Sequence, residues 1–296
     1  MKTLKSTLHL ALLTFLVSTV PLVAENNPAP SNPAWTTPFP AFRIAGNLYY
    51  VGSEDLGSYL IATPSGLILI NSSFEASVPL IKKSVEDLGF HFSDIKILLI
   101  SHAHSDHCAG SAQIIHLTGA KYYVMTGDVS VVESGGRTDF QYGAKKSNRY
   151  PSAHVDRILH DGDTVSLGGT VLTAHLTPGH TRGTTTWTLD EPHGSRFLHV
   201  VIVGSPNVNP GYKLVGNKAY PQIARDYKRG FAVLDQLPCD IFLGAHGSYF
   251  DLVGKYPRWK DGDKNAFIDP TGYKAYIADR EQTFEKELQR QSAPKR

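Results

Sequence analysis

The chain has 296 residues, 41% hydrophobic, 19% charged and 10% aromatic, enough apolar side chain for one large domain or two modest ones and too much for a disordered, collagen-like or coiled-coil protein. Its 29 Lys and Arg against 27 acidic residues leave a formal charge of +2; Lys2 and Lys5 supply that excess within the first 24 residues, so the remainder is neutral and a nucleic-acid binder working through a basic face is excluded. The two cysteines, Cys108 and Cys239, exclude a disulfide-stapled scaffold, and 13 histidines tilt any metal site towards nitrogen and carboxylate ligands.

Residues 1–24 run from a short basic start through an apolar stretch (8–20) to a small-residue break at Ala24. This is the layout of a secretory signal peptide, and Thr14, Ser18, Thr19 and Pro21 keep the apolar stretch too short and broken to span a membrane. Residues 25–40, rich in Pro and Asn, are expected as an extended lead-in, and residues 41–296 as a single domain. Short β-rich runs at 49–51, 58–63, 67–71 and 95–101, bounded by Gly, Pro, Ser or Asp, predict strands. Between the third and fourth, Val78, Leu80, Ile81, Val85 and Leu88 recur at helical spacing, which predicts an amphipathic helix over 78–88. A helix is expected at 107–117, a strand at 121–125 and a short helix at 129–134 ending on Gly135 and Gly136. Strand signals resume at 157–160, 164–167, 170–176, 184–189 and 198–204. Helices are predicted at 220–237 and 272–291, the latter carrying Tyr273, Tyr276, Ile277, Phe284 and Leu288 on one face. Near-continuously apolar strands of this kind fit two sheets packed face to face with helices outside.

The strongest chemical signal is His102-Ala103-His104-Ser105-Asp106-His107, directly after the apolar strand at 97–100. Three imidazoles and a carboxylate at the end of a buried strand can be aimed by a loop into a crevice. Without a ligand to satisfy them, they would cost roughly 1–3 kcal/mol per unsatisfied buried group. A catalytic zinc ion takes about three protein ligands and leaves a place for water, so further histidines are needed. His180, in Thr177-Pro178-Gly179-His180-Thr181, and His246, in Gly244-Ala245-His246-Gly247, both stand at strand ends beside glycine, where backbone can approach closely. His116, His160, His175 and His199 lie inside strand or helix patterns and are expected to be ordinary packed or surface residues.

These three motifs in this order resemble the metallo-β-lactamase superfamily, over about Ala41 to Lys286. The resemblance implies an α/β fold, a four-layer αββα sandwich, with two zinc ions at the edge of the paired sheets. Thioesterase- and lactonase-like members commonly carry a metal-bridging aspartate after the strand at 199–204, and the commonest β-lactamase subclass carries a cysteine ligand there. This chain has Ser205. That leaves His107 as the third ligand of the second ion, and the pattern is similar to subclass B3.

On this resemblance His102, His104 and His180 hold the first zinc, and Asp106, His107 and His246 the second. A hydroxide shared by the ions opens the β-lactam amide without a covalent intermediate, giving resistance to β-lactam antibiotics. Asp106 orients the nucleophile, Ser205 holds water near the second metal, Asn207 and Asn209 contact the substrate carboxylate, and Tyr212 lines the pocket. The 205–212 loop would be written much the same for turn geometry alone. A periplasmic monomer acting on a small molecule is expected, with no membrane anchoring once the signal is cleaved. A lactonase or thioesterase of the same fold shares every one of these histidines, and an exported zinc protein without catalysis would need a spare ligand that only Cys108 offers.

The subclass often bridges a cysteine after Leu-Pro to one near the last helix; here Tyr273 stands opposite Cys239, so both thiols are expected to be reduced and mostly buried. The long irregular segment 135–151, with Phe140, Tyr142 and Tyr150, either covers the substrate or is a plain surface loop.

Overall fold

A computed structural model describes residues 32–294; the expected signal peptide and residues 25–31 of the lead-in lie outside the described residues. The rest of the lead-in is a strap against the body rather than a free extension. Its 3-10 turn, Pro33–Trp35, is capped by the Asn32 side chain, and Pro38 pairs with Ser53.

Seven strands make the first sheet. β1 (Phe42–Ala45), β2 (Leu48–Tyr50), β3 (Tyr59–Thr63) and β4 (Gly66–Ile70) form an antiparallel meander. β5 (Ile95–Leu99), β6 (Lys121–Met125) and β7 (Arg157–Leu159) continue it in parallel. Parallel neighbours need crossovers, and these are α1 (Val78–Asp87), the pair α2 (Ser105–Cys108) and α3 (Ser111–Thr118), and α4 (Val129–Glu133). The second sheet is the antiparallel meander β8 (Thr164–Leu167), β9 (Thr170–Leu176), β10 (Thr185–His193), β11 (Arg196–Val203), with β12 (Ile241–Gly244) added parallel to β11. α5 (Ile223–Gln236), α6 (Leu252–Lys260) and α7 (Pro270–Ser292) follow it in the chain.

Alternation along β4 shows why these strands are apolar throughout. Leu67 and Leu69 pack with Val78, Ile81 and Val85 of α1 and Ile114 of α3, while Ile68 and Ile70 join the core shared with β11, α5 and α7. Both pleat faces are therefore covered, and each such side chain contributes about 1.5–3 kcal/mol by leaving water. On the far side of the second sheet, Phe284 of α7 stacks on Tyr227 of α5 with ring centroids 5.2 Å apart. The layers are helix, sheet, sheet, helix, as the resemblance implies.

Two predicted elements differ in extent, and one helix carries no sequence signal. The helix expected at 107–117 starts earlier and breaks after Cys108, because the Gly110 amide donates to the Ser73 carbonyl at 2.9 Å and the His107 carbonyl accepts from the Ser72 amide at 3.0 Å, an approach so close that a Cβ on Gly110 would stand 2.6 Å from the Ser72 carbonyl oxygen. β10 runs on to His193, past the Asp190-Glu191-Pro192 text that suggests a stop, because β11 pairs with it throughout. α6 is unannounced in the sequence because Pro257 lies inside it.

β10, the central strand of the second sheet, also fastens the two sheets together at the end of β5. The Thr185 amide donates to the Ser101 carbonyl at 2.7 Å, and the Trp187 indole donates to the Ile100 carbonyl at 3.0 Å. The segment leaving β5 towards His102 is thus held by the second sheet.

Candidate metal centre

The site forms where the C-terminal ends of β5 and β12 meet the β9–β10 loop, the crevice expected beyond parallel strand ends. His104 caps α2 in an extended conformation, so the next turn swings Asp106 and His107 back over His102. His180 follows Gly179, whose φ of +134° and closeness to Tyr227, 2.5 Å from where a Cβ would stand, admit no side chain. His246 stands two residues beyond the end of β12.

The ligand atoms of His102, His104 and His180 lie within 4.8 Å of one another, as do those of His102, Asp106 and His107. Asp106 Oδ2 is 3.1 Å from His107 Nε2 and 3.6 Å from His246 Nε2, and the two Nε2 atoms are 3.2 Å apart. Ligands bound tetrahedrally at zinc–nitrogen distances stand about 3.3 Å from each other, so these separations match donors sharing one ion. All six predicted ligands come together. His102, His104, Asp106 and His107 arrive from the first sheet, His180 and His246 from the second.

Three rings have one nitrogen hydrogen-bonded outside the site, and a fourth leans on polar neighbours at longer range. His102 Nδ1 pairs with Ser101 Oγ at 3.2 Å, His180 Nδ1 donates to the Asn207 carbonyl at 2.7 Å and His246 Nδ1 to Asp55 Oδ2 at 3.0 Å. His104 turns Nε2 towards the Tyr212 hydroxyl at 3.5 Å and Asp139 Oδ2 at 3.7 Å. Each ring thereby presents its other nitrogen inward, the arrangement that orients metal-binding imidazoles. His107 Nδ1 is buried with no partner among the described residues.

Electrostatics agree with a cation site. Burial, reinforced by neighbouring imidazoles, pushes His102 and His180 well below the usual histidine range, and burial takes His104 down to about 4. These rings keep their lone pairs at neutral pH, as metal ligation requires. Burial alone would raise Asp106, but His107 and then His246 hold its carboxyl far below the carboxylate range. Five imidazoles and an ionised carboxylate are a borderline-hard donor set that fits zinc.

A cavity of about 560 Å³ opens over the cluster, lined among others by Trp35, Asp106, Asp139, Tyr142, Asn207 and Asn209. The 135–151 loop forms one wall, with the Tyr142 ring 5.1 Å from that of His104. Phe140 turns inward onto Tyr212 and Tyr220 instead. Asn207 and Asn209 each donate a side-chain N–H to a tyrosine, Tyr249 at 2.7 Å and Tyr142 at 3.0 Å. Ser205 and Tyr212 lie behind the lining. Ser205 Oγ contacts the Tyr249 hydroxyl at 3.2 Å, and the Tyr212 hydroxyl donates to the His180 carbonyl at 2.9 Å. Cys108 is buried behind the site and Cys239 half-buried, both free. His175 pairs with Thr188 and His199 with Asp190, each across to the neighbouring strand β10.

Several supporting residues carry no sequence signal. Asp128 accepts from the Ala103 amide (2.8 Å), Thr181 Oγ1 (2.8 Å) and the Gly183 amide (2.9 Å), tying the 102–107 turn to the 177–183 loop. Asn71, at φ +66°, accepts from the Ser101 amide at 2.7 Å and donates to the Gly57 carbonyl at 2.9 Å.

The metallo-beta-lactamase superfamily model matches residues 58–193. The native FEZ-1 metallo-beta-lactamase from Legionella gormanii is 57% identical, with a TM-score of 0.86 over 88% of this chain and 99% of that one. The class B3 di-zinc metallo-beta-lactamase LRA-12 from an Alaskan soil metagenome is 37% identical, with a TM-score of 0.83 over 88% of this chain and 99% of its own. BJP-1, a subclass B3 metallo-beta-lactamase of Bradyrhizobium japonicum, is 35% identical, with a TM-score of 0.83 over 88% and 97%. A curated protein described as a probable metallo-hydrolase, from Burkholderia pseudomallei (strain 1710b), is 28% identical over 120 residues; the match spans 40% of its length.

Proposed function

Since the chain belongs to the metallo-β-lactamase superfamily, we propose that it is a zinc-dependent β-lactamase of the subclass B3 kind, hydrolysing the lactam amide without an acyl-enzyme. The observation that carries this reading is the set of six donors converging under one open cavity, three of the rings held from outside with a free nitrogen inward. We assign one ion to His102, His104 and His180 and a second to Asp106, His107 and His246. Bound there, zinc supplies a Lewis acid for the lactam carbonyl and a water acidic enough to attack at neutral pH.

The protein's own groups do the rest. Asp106, kept ionised by His107 and His246, accepts a hydrogen bond from the attacking water and orients it. Asn207 and Asn209 retain a second amide N–H each for the substrate carboxylate. Ser205 acts through Tyr249, and Tyr212 steadies the His180 backbone and the His104 ring. No thiol competes as nucleophile: burial drives Cys108 well above its ordinary range and Cys239 up to about 12, leaving both protonated and inert. Export to the periplasm through residues 1–24, and a role in β-lactam resistance, belong to the same reading.

The protein is expected to open a chromogenic cephalosporin, lose that activity to a chelator and regain it with zinc. His180→Ala should abolish turnover, and clavulanate-type acylating inhibitors should have no effect. Turnover of a lactone or thioester with β-lactams left intact overturns the assignment in favour of another hydrolase of this fold, and zinc binding without turnover of any of them overturns it in favour of a non-catalytic protein.

A further inference from the structure

Asp55 lies in the connection between β2 and β3 and belongs to no motif. Its carboxylate is nonetheless one of the most heavily engaged in the molecule. Oδ2 accepts from His246 Nδ1 at 3.0 Å and from the Trp35 indole at 3.0 Å, and Oδ1 accepts from the Ser248 amide at 2.8 Å. The backbone is tied in the same directions: the Asp55 amide donates to the Ala34 carbonyl, the Gly247 amide donates to the Asp55 carbonyl, and Leu56 pairs with His246. Side-chain exposures of 12% for Asp55 and 14% for His246 leave little room for water to replace the contact.

We infer that Asp55 is a positioning residue for the second metal site: it fixes the tautomer and ring orientation of His246 and links that ligand to the strap carrying Trp35. The inference rests on the reading of Asp106, His107 and His246 as a zinc site. With the Nδ1 proton committed to Asp55, the imidazole lone pair sits on Nε2, 3.2 Å from His107 Nε2 and 3.6 Å from Asp106 Oδ2. A carboxylate behind a ligating imidazole also raises its basicity, and losing such a partner typically weakens metal binding 10–100-fold. None of the other five donors hydrogen-bonds to Asp55, and the one further donor its charge reaches, His107, belongs to the same site, so the effect is confined to one ion. The same carboxylate holds the Trp35 ring 5.7 Å from that of His246, at the mouth of the cavity that both line.

The test is stepwise removal of zinc from the loaded full-length protein by a chromophoric chelator, for wild type, Asp55→Asn and Asp55→Ala. Nitrogen-15 spectra of the histidine rings of the same samples serve as a second readout. Wild type should release two ions in separate steps. Asp55→Ala should release one of them 10–100-fold more readily, leave the other unchanged and lose the hydrogen-bonded Nδ1 proton signal of His246. Asp55→Asn, which keeps an acceptor oxygen but not the charge, should keep that signal and fall between the two in affinity. Unchanged release of both ions from Asp55→Ala overturns the role of Asp55 alone. A wild-type protein that takes up fewer than two ions overturns the two-site reading itself. Should Asp55→Ala fail to fold, Asp55→Asn decides: wild-type release of both ions from it overturns the role.

Discussion

Asp128 is almost wholly buried, at 1% exposure, and burial raises its carboxyl to about 6 against the pull of Thr181, Gly183 and Ala103. Replacing it by alanine strands two backbone amides and a hydroxyl. A loss of about 2–4 kcal/mol is expected, with zinc affinity falling because both ligand-bearing loops lose their tie; thermal unfolding and zinc content of Asp128→Ala check this. A second buried acid gives a pH signature away from the metal. Glu191, 2% exposed on β10, accepts from the Asn47 amide at 3.3 Å, and its Oε1 has no partner among the described residues. Burial lifts it from 4.5 to about 7. A folded-state value above the unfolded one means the stabilising contribution is complete below about 4.5 and fades as pH rises through 7. Glu191→Gln cannot ionise, so its stability relative to wild type should improve by about 1–3 kcal/mol between pH 4.5 and pH 8, read from denaturant midpoints. At this scale the ligands were legible because four of them fall within six residues. Their supports were not: Asp55 reaches His246 across 191 positions and Asp128 reaches Gly183 across 55, separations at which local text carries no trace.

Among the elements, the ligand loops depend on backbone shapes that only certain residues adopt. At Gly179 a Cβ meets the Tyr227 ring while φ stays at +134°, so Gly179→Ala carries about 1–3 kcal/mol of strain and pushes His180 off its perch. The expected outcome is a melting temperature lower by roughly 3–10 °C and loss of one bound zinc, measured by calorimetry and metal analysis. Where periodicity is strong, as in α1 and β4, sequence and structure agree to within a residue or two. Elsewhere tertiary contact decided the outcome. Backbone hydrogen bonds to Ser72 and Ser73 stop α2 short, and Pro257 sits in α6 close to its C-terminal end, where it hides the helix without breaking it. β1 went unread because Pro38 and Pro40 just before it resemble loop, and only pairing with β2 makes Phe42–Ala45 a strand.

Across the whole molecule, metal should behave as part of the fold. Ligands on two sheets cannot be assembled in an unfolded chain, so bound zinc stabilises the native state by linkage, about 4 kcal/mol per site at a thousandfold excess over Kd. Stripping it with a chelator should lower the unfolding temperature in proportion to the ions lost, and re-addition should restore it; a melting curve indifferent to zinc contradicts the arrangement. The hydrogen bonds from Thr185 to Ser101 and from Trp187 to Ile100 acquire a further meaning here. Each trio of donors draws two members from one slab of the sandwich and one from the other, so neither slab owns a complete set. A sideways slip of an ångström between the slabs would leave both well folded and the reaction extinguished. Inactivating substitutions should therefore gather along the join as well as around the ligands, including at Thr185 and Trp187, which never meet the drug.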